Sequence, residues 1–377
     1  MSLTNKTVLV TVINDFRNDA RVQREVRSLL SQKAKVVLLG FNSKNSKEIF
    51  DWNGAKVILL KKSDWSWKKG KFIEFVLRGI WEGLKFPSEF YHANDLDSLP
   101  IGVFLSSVSG GKLIYDSHEI YTETEGLSQK PKEQKIWKWV EKKLIPFVDE
   151  TITVCASIGK ELEKMYKLPK VWIVRNVSEK FKIETKSESP FHFEKTILYQ
   201  GILRKGRGLE ILVRILEFLP ENYGVAVLGE GDEVLKKELL DLAQEKGFEK
   251  RLKFYGKVPL DELLSYTSHA DLGTVLAEDI CLNYYYILPN KLFQYLMAGV
   301  PVLVSDFPEL SNIVDTYKVG VKTNPKNLQE TAEKIVLLME DYETRKQLKA
   351  NCLEASKELN WEVEEKTFLK VYERLAN

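Results

Sequence analysis

Cysteine and histidine are both scarce in this chain. Its three cysteines (Cys155, Cys281, Cys352) and four histidines (His92, His118, His192, His269) are scattered along 377 residues. None sit at metal-ligand spacing, so no metal site is expected. The thiols read as reduced cysteines of a cytosolic protein. An excess of charge of one sign is lacking too. Lys plus Arg number 56 and Asp plus Glu 54, a net charge of +2, which gives no global case for a nucleic-acid partner. No apolar run is long enough to span a bilayer. The chain passes at once into an apolar strand, without the basic, apolar and small-residue progression of a signal peptide, so none is expected. Short-period repeats and low-complexity tracts are missing as well.

What is present suits a folded α/β protein. Hydrophobic residues make up 44% and charged residues 29%, a balance that argues against disorder, and the length suits two domains. Continuous apolar runs alternate with amphipathic helical stretches. In the first half the runs are TVLVTVI (7–13), KVVLLGF (35–41), KVILL (56–60), KLIYD (112–116) and TITV (151–154). Between them lie helix-period segments such as 20–32 and 135–147. Strands covered on both faces read in this way. The rhythm breaks over the polar, Pro-containing stretch 178–194, as in a linker. It resumes with TILYQG (196–201), VAVLGEG (225–231), LKFYG (252–256), LGTVL (272–276) and PVLVSD (301–306). The expectation is two Rossmann-like, doubly wound parallel-sheet domains facing a cleft. They would span 1–177 and 195–359, with a C-terminal helix at about 360–377 packing back on the first. Ligands of such sheets bind beyond the C-terminal strand ends.

Three segments of the second half carry chemistry. In YQGILRKGRGLEILVRIL (199–216) a strand ends at Gly201, a loop brings Arg204, Lys205 and Arg207, and Gly208 opens a helix. Glycines allow close backbone approach, and a helix N-terminus offers free N–H groups, so a diphosphate site is sensible. A basic turn in water fits the same residues. LGEGDE (228–233) is a glycine turn around Gly229, too short for a dinucleotide fingerprint. In LPNKLFQYLMAGVPVLVSD (288–306), Pro289 and Asn290 start a helix. Leu292, Phe293, Leu296 and Met297 are expected in the core, while Asn290, Lys291 and Gln294 reach a cleft or solvent. In the first half, NDFRNDARVQRE (14–25) follows the first strand with Asn14 and Arg17. The segments 91–100 and 114–127 place His92, Asp95, His118 and Glu119 on loops, as acceptor-side residues or as helix caps and solvent-facing groups.

Taken in order, these segments resemble the GT-B fold of retaining glycosyltransferases, specifically glycosyltransferase family 4. The resemblance runs through DARVQREVRSLL, YHANDLDSLP, KLIYDSHE, TITVCASIGKEL, YQGILRKGRGLE, LGEG, FYGKVP, ADLGTVL, PNKLFQYLMAGVPV and NWEVEEKTFLKVYERL. It implies a nucleoside diphosphate sugar as donor, no cofactor, and a sugar or lipid-linked acceptor in cell-surface polysaccharide or glycolipid synthesis. Arg207 corresponds to the diphosphate-binding cation, with Arg204 and Lys205 assisting. Val258 falls where backbone meets the nucleobase, and His118 matches the histidine near the transferred sugar. The chain departs from the pattern at its two glutamates, which fall at Tyr286 and Gln294, and at the first cation of the phosphate loop, where Ile202 follows Gly201. Glutamine can still bond a hydroxyl. Tyrosine cannot act as a carboxylate, and the nearest upstream carboxylates are Glu278 and Asp279. Other readings on the same architecture are a nucleotide-sugar epimerase or phosphorylase, and a nucleotide-binding scaffold that has lost catalysis.

Tryptophan and lysine cluster in two places. Residues 61–85 hold Trp65, Trp67 and Trp81, and the basic helix 132–143 holds Trp137 and Trp139. Rings at the interface and charges toward phosphates suit an anionic membrane surface, giving a cytoplasmic protein attached to the inner face. The competing expectation packs these rings on the sheet, with the lysines solvated.

Overall fold

The computed structural model describes all residues except 1–2, 43, 45, 62–67, 181–187 and 377, together with the side chains of Lys68 and Lys69. The chain divides into two compact units, residues 1–175 with 364–377, and residues 176–363. The stretch expected as a linker falls in the second unit. There Phe191 is buried with its ring edge-on to Tyr255, while 181–187 lie outside the described residues.

The first unit is built on β1 (Thr7–Thr11), β2 (Lys35–Phe41), β3 (Glu48–Trp52), β4 (Ala55–Leu60), β5 (Phe90–Asn94), β6 (Lys112–Ser117), β7 (Glu150–Thr153) and β8 (Trp172–Ile173). Their order is β3-β4-β2-β1-β5-β6-β7-β8. Every pairing is parallel except β3 with β4, a hairpin closed at Asn53 and Gly54, both with positive φ. The order of the strands reverses between β1 and β5. Helices α1 (Ala20–Ser31), α2 (Lys68–Gly83), α3 (Asp95–Ser109) and α4 (Pro131–Leu144) belong to this unit. So does most of the last helix, Trp361–Ala376. Gly79 and Gly83 of α2 leave room for Ile101 and Leu105 of α3, where an added Cβ would meet those side chains at 2.6 and 2.5 Å.

The second unit holds β9 (Lys195–Gln200), β10 (Tyr223–Leu228), β11 (Leu252–Gly256), β12 (Leu272–Val275), β13 (Val302–Ser305) and β14 (Gly320–Thr323), ordered β11-β10-β9-β12-β13-β14 and all parallel. Here the reversal falls between β9 and β12. The helices that matter below are α5 (Leu209–Arg214) and α6 (Asn290–Met297). Leu292, Phe293, Leu296 and Met297 are buried, as their helical spacing implies.

Candidate functional site

In the second unit the candidate donor residues gather at the C-terminal ends of the strands. Gly201 follows β9 at φ +124°, a conformation open to glycine, and an added Cβ there would meet nothing within 4 Å. Gly229, after β10, has a different job. A Cβ on it would lie 1.9 Å from the Gly201 carbonyl oxygen, and its own N–H donates to Gly256 O at 2.7 Å. The glycine turn therefore seats the 201–203 loop. Across the reversal point, Arg207 donates from Nε to the Tyr284 hydroxyl at 3.4 Å and stacks over that ring. Lys205 instead pairs with Glu238 at 3.0 Å in the open. Arg204 is exposed, and Val258 is half-buried just beyond β11. The Glu278 carboxyl is pushed up, first by burial and then by Glu210, against the pull of the Gly208 N–H at the start of α5.

Helix α6 is tied to the end of β9. Tyr295 Oη accepts the Gln200 N–H at 3.0 Å, and Gln294 Oε1 accepts from the Gln200 side chain at 2.6 Å. Gln200 in turn accepts from buried Thr267 at 2.8 Å. Gln294 thus stands half-buried in a chain of uncharged hydrogen bonds, and Asn290 is half-buried beside it in sequence. Lys291 corrects the sequence reading. Expected to reach a cleft or solvent, it is only 8% exposed, with its ammonium 3.6 Å above the Tyr199 ring. Helical periodicity marks Lys291 as polar but cannot show that a tyrosine on the neighbouring strand roofs it over.

The first unit gathers its own charged cluster. Arg21 of α1 is buried and bonds both Asp116 oxygens, from Nη2 at 3.0 and 2.8 Å, and the Val174 carbonyl from Nη1 at 2.8 Å. Glu25, one turn on, lies 2.9 Å from Arg21 Nε. His92 is a second correction. It sits inside β5 and not on a loop, fully buried, with Nδ1 2.7 Å from the Tyr372 hydroxyl and Nε2 3.7 Å from Glu25 and Asp116. Glu25, His92 and Asp116 bring ligand-type atoms within 4.8 Å of one another. The Arg21 guanidinium already supplies the positive charge those carboxylates face.

His118 follows β6 and Asp95 follows β5, at neighbouring strand ends. Asp95 holds the His118 backbone N–H at 3.0 Å and lies 3.3 Å from its Nδ1, itself in the left-handed region at φ +61°, a strained conformation typical of working positions. His118 Nε2 faces Asn94 at 3.1 Å and Asp116 at 3.5 Å. Burial works against the imidazolium, but Asp95 and Asp116 outweigh it and hold the pKa well above its ordinary value. Burial also opposes a charged Asp116, yet Arg21 and His118 keep it well below the carboxylate range. Burial and the Asp116 charge push the Glu25 carboxyl well up. Burial also lowers the pKa of His92. Nearby, Asn14 donates to Asp19 at 2.7 Å. Arg17 forks onto Asp15 at 2.7 and 2.6 Å and reaches Glu48 at 3.0 Å. Glu119 is half-buried.

Residues 180–354 match the family model described as glycosyl transferases group 1. That match lies within the second unit. Two curated relatives, both uncharacterised glycosyltransferases of Methanocaldococcus jannaschii, are 24% and 25% identical over 59% and 58% of this chain. The matches span 59% and 52% of those relatives' own lengths. Among solved structures, sucrose-phosphate synthase from Thermosynechococcus elongatus superposes with a TM-score of 0.84 at 16% identity, covering 98% of this chain and 99% of that one. Anabaena HepE in complex with UDP-glucose gives 0.75 at 15% identity, covering 98% and 100%. These likenesses show the fold, GT-B, with its two parallel-sheet α/β units. The group 1 domain is the unit in which Arg207, Tyr284 and α6 converge on the strand ends.

Proposed function

We propose that the protein is a retaining glycosyltransferase that moves a sugar from a nucleoside diphosphate sugar to an acceptor hydroxyl. The observation that carries this reading is Arg207, held by Tyr284 at the reversal point of the sheet inside the group 1 domain. Ligands of open parallel sheets bind at that point. In the reaction the bond from the anomeric carbon to the diphosphate breaks, the acceptor oxygen bonds on the same face, and the acceptor proton leaves with the diphosphate. The developing charge needs fixed cations, which the protein supplies from side chains, so turnover should survive a chelator. HepE, which shares the fold, is seen with UDP, UDP-glucose, and UDP with glucose, so uridine donors come first. The test is turnover of UDP- and GDP-sugars with and without acceptor sugars, in EDTA. Acceptor-dependent transfer with retained anomeric configuration supports the reading. Donor breakdown indifferent to acceptor favours an epimerase or phosphorylase. Tight donor binding without turnover favours a scaffold, which the uncharged Gln200–Gln294 pair would suit.

We infer further that the acceptor lies at a membrane. What supports this is the outer face of α2, α3 and α4. Ile73, Leu77 and Trp81 recur along α2 and continue at Leu84, while Phe104 and Val108 stand out from α3, and Ile136 and Trp139 from α4. Trp81 is 71% exposed, so it does not pack on the sheet. Trp137 does pack, against Phe72 and Tyr121. Trp65 and Trp67 lie outside the described residues. Lys71, Lys85, Lys132, Lys135, Lys142 and Lys143 are exposed around these apolar residues, a pattern suited to anionic headgroups with rings at the acyl boundary. The reading is a polysaccharide or glycolipid pathway at the inner membrane face, with a lipid-linked acceptor. Flotation with phosphatidylglycerol vesicles at low salt should carry the protein, and a Leu77→Asp/Trp81→Ser variant should stay behind. Equal flotation of both would count against this surface.

A further inference from the structure

Lys291 is a buried amine without a hydrogen-bond partner. Its Nζ has no hydrogen bond, and it forms no ion pair among the described residues. The amine nitrogen rests on the face of Tyr199, which is fixed by donating its hydroxyl to Ile202 O at 2.8 Å. The same loop delivers Arg207, which forms no ion pair among the described residues either. Two basic groups therefore converge on one end of the sheet, neither in an ion pair among the described residues, beside the N-terminus of α6. A ring face offers an ammonium far less than water does, and an unpaired buried charge costs several kcal/mol. Such a group gives up its proton or waits for an anion.

We propose that Lys291 is a phosphate-binding group of the donor site, acting with Arg207 on the diphosphate, and that it stays uncharged until the donor arrives. Burial, and then the like charge of Arg207, push its pKa well down. The groups around it agree. Tyr199, Tyr284 and Tyr295 are phenols, with burial pushing the Tyr199 hydroxyl up, and Gln200 and Gln294 are uncharged. Arg207 is the charged group that acts on it. A diphosphate reverses the balance. Its charge favours the ammonium, so the amine takes one proton from solvent as the ligand binds, and affinity and protonation become linked. This inference rests on the donor reading given above, and it supplies the second cation that Ile202 does not.

Calorimetry of UDP-glucose and GDP-mannose binding at neutral pH, repeated in buffers of different ionisation enthalpy, tests it. These diphosphate diesters carry no proton that titrates near neutrality, so proton uptake reports the protein. The expected result is close to one proton taken up per donor bound. Lys291→Met should abolish the uptake and weaken binding by about 10- to 100-fold, while its melting temperature holds or rises, since an apolar chain replaces a buried amine. Lys291→Arg, charged throughout, should bind without uptake. Donor binding with no proton uptake, or Lys291→Met binding as tightly as the parent, overturns this inference and leaves the transferase reading standing. No binding of either donor overturns both.

Discussion

The two units bury charge in opposite ways. In the first, Arg21 and His118 face Asp116 and Asp95, while burial pushes Glu25 up and His92 down. Each cation there stands opposite a carboxylate. In the second, Arg207 and Lys291 converge without an opposing carboxylate among the described residues. A network of paired charges acts by holding a shape, here with Glu25 Oε1 and Oε2 and His92 Nε2 left without hydrogen bonds. An unbalanced one acts on something that arrives from outside. His118 belongs to the first kind, with both ring nitrogens engaged, so it can orient or donate but is not a free base. Arg207 belongs to the second.

The comparison breaks most visibly at Arg21. Removing it leaves the Asp116 carboxylate buried and uncompensated. Arg21→Met should therefore cost about 3–5 kcal/mol in urea unfolding, and Asp116→Asn in the same chain should recover part of that. A loss below about 1 kcal/mol would mean the network is not balanced through this guanidinium. Arg207→Ala should do the reverse, leaving stability alone and weakening donor binding or turnover by about 2–3 kcal/mol. If instead it unfolds the protein and spares affinity, the two clusters have exchanged roles.

How far this could be read in the sequence differs between fold and site. The long apolar strands were legible because a strand covered on both faces must be apolar throughout. Residues 35–41 fall on β2 from end to end. The polar or short strands were not. The β5 segment FYHAN reads as a loop because its histidine is made tolerable by Tyr372, 280 residues away. The edge strand β3 is half exposed, and β8 and β14 are short. Sequence shows that a residue can carry charge. It does not show whether a partner stands opposite, and that distinction separates Arg21, Lys291 and Arg207.

A subtler test uses pH. His118 has a folded pKa well above its ordinary value. A raised pKa contributes stability that is fully present below the unfolded value of about 6.5 and is lost as pH rises through the folded value. The melting-temperature gap between the parent and His118→Gln should therefore be widest in mild acid and narrow in alkali. Glu25, also raised, has the same sign, and losing the His118 charge that pulls it down raises it further in the variant, so it narrows the gap without reversing it. Turnover should fall in His118→Ala by about 10-fold while nucleotide Kd moves less than about two-fold, since the donor cations lie in the other unit. Equal loss of nucleotide affinity would place His118 on the donor and undo the division of labour.

The smallest effect sharpens the comparison within one loop. Lys205 and Arg207 are two residues apart and both cationic, Arg207 expected on the diphosphate and Lys205 as its assistant. The structure separates them. Lys205 pairs with Glu238 with both side chains more than half exposed, whereas Arg207 is half-buried and bonds a tyrosine hydroxyl. A cation whose charge is answered on a solvated surface has little left for a ligand, because the pair is screened and a phosphate would first have to displace the carboxylate. Lys205→Ala should therefore leave donor Kd within about two-fold. Glu238→Gln gives the converse reading. If freeing Lys205 from its carboxylate tightens donor binding, the lysine lies within reach of the diphosphate and is held back by its partner. If it changes nothing, Lys205 points away, and the loop's basic character narrows to Arg207 alone. A large loss in Lys205→Ala itself would show that exposure and pairing do not sort the cations of this loop, and the contrast drawn between the two units would then fail at its finest scale.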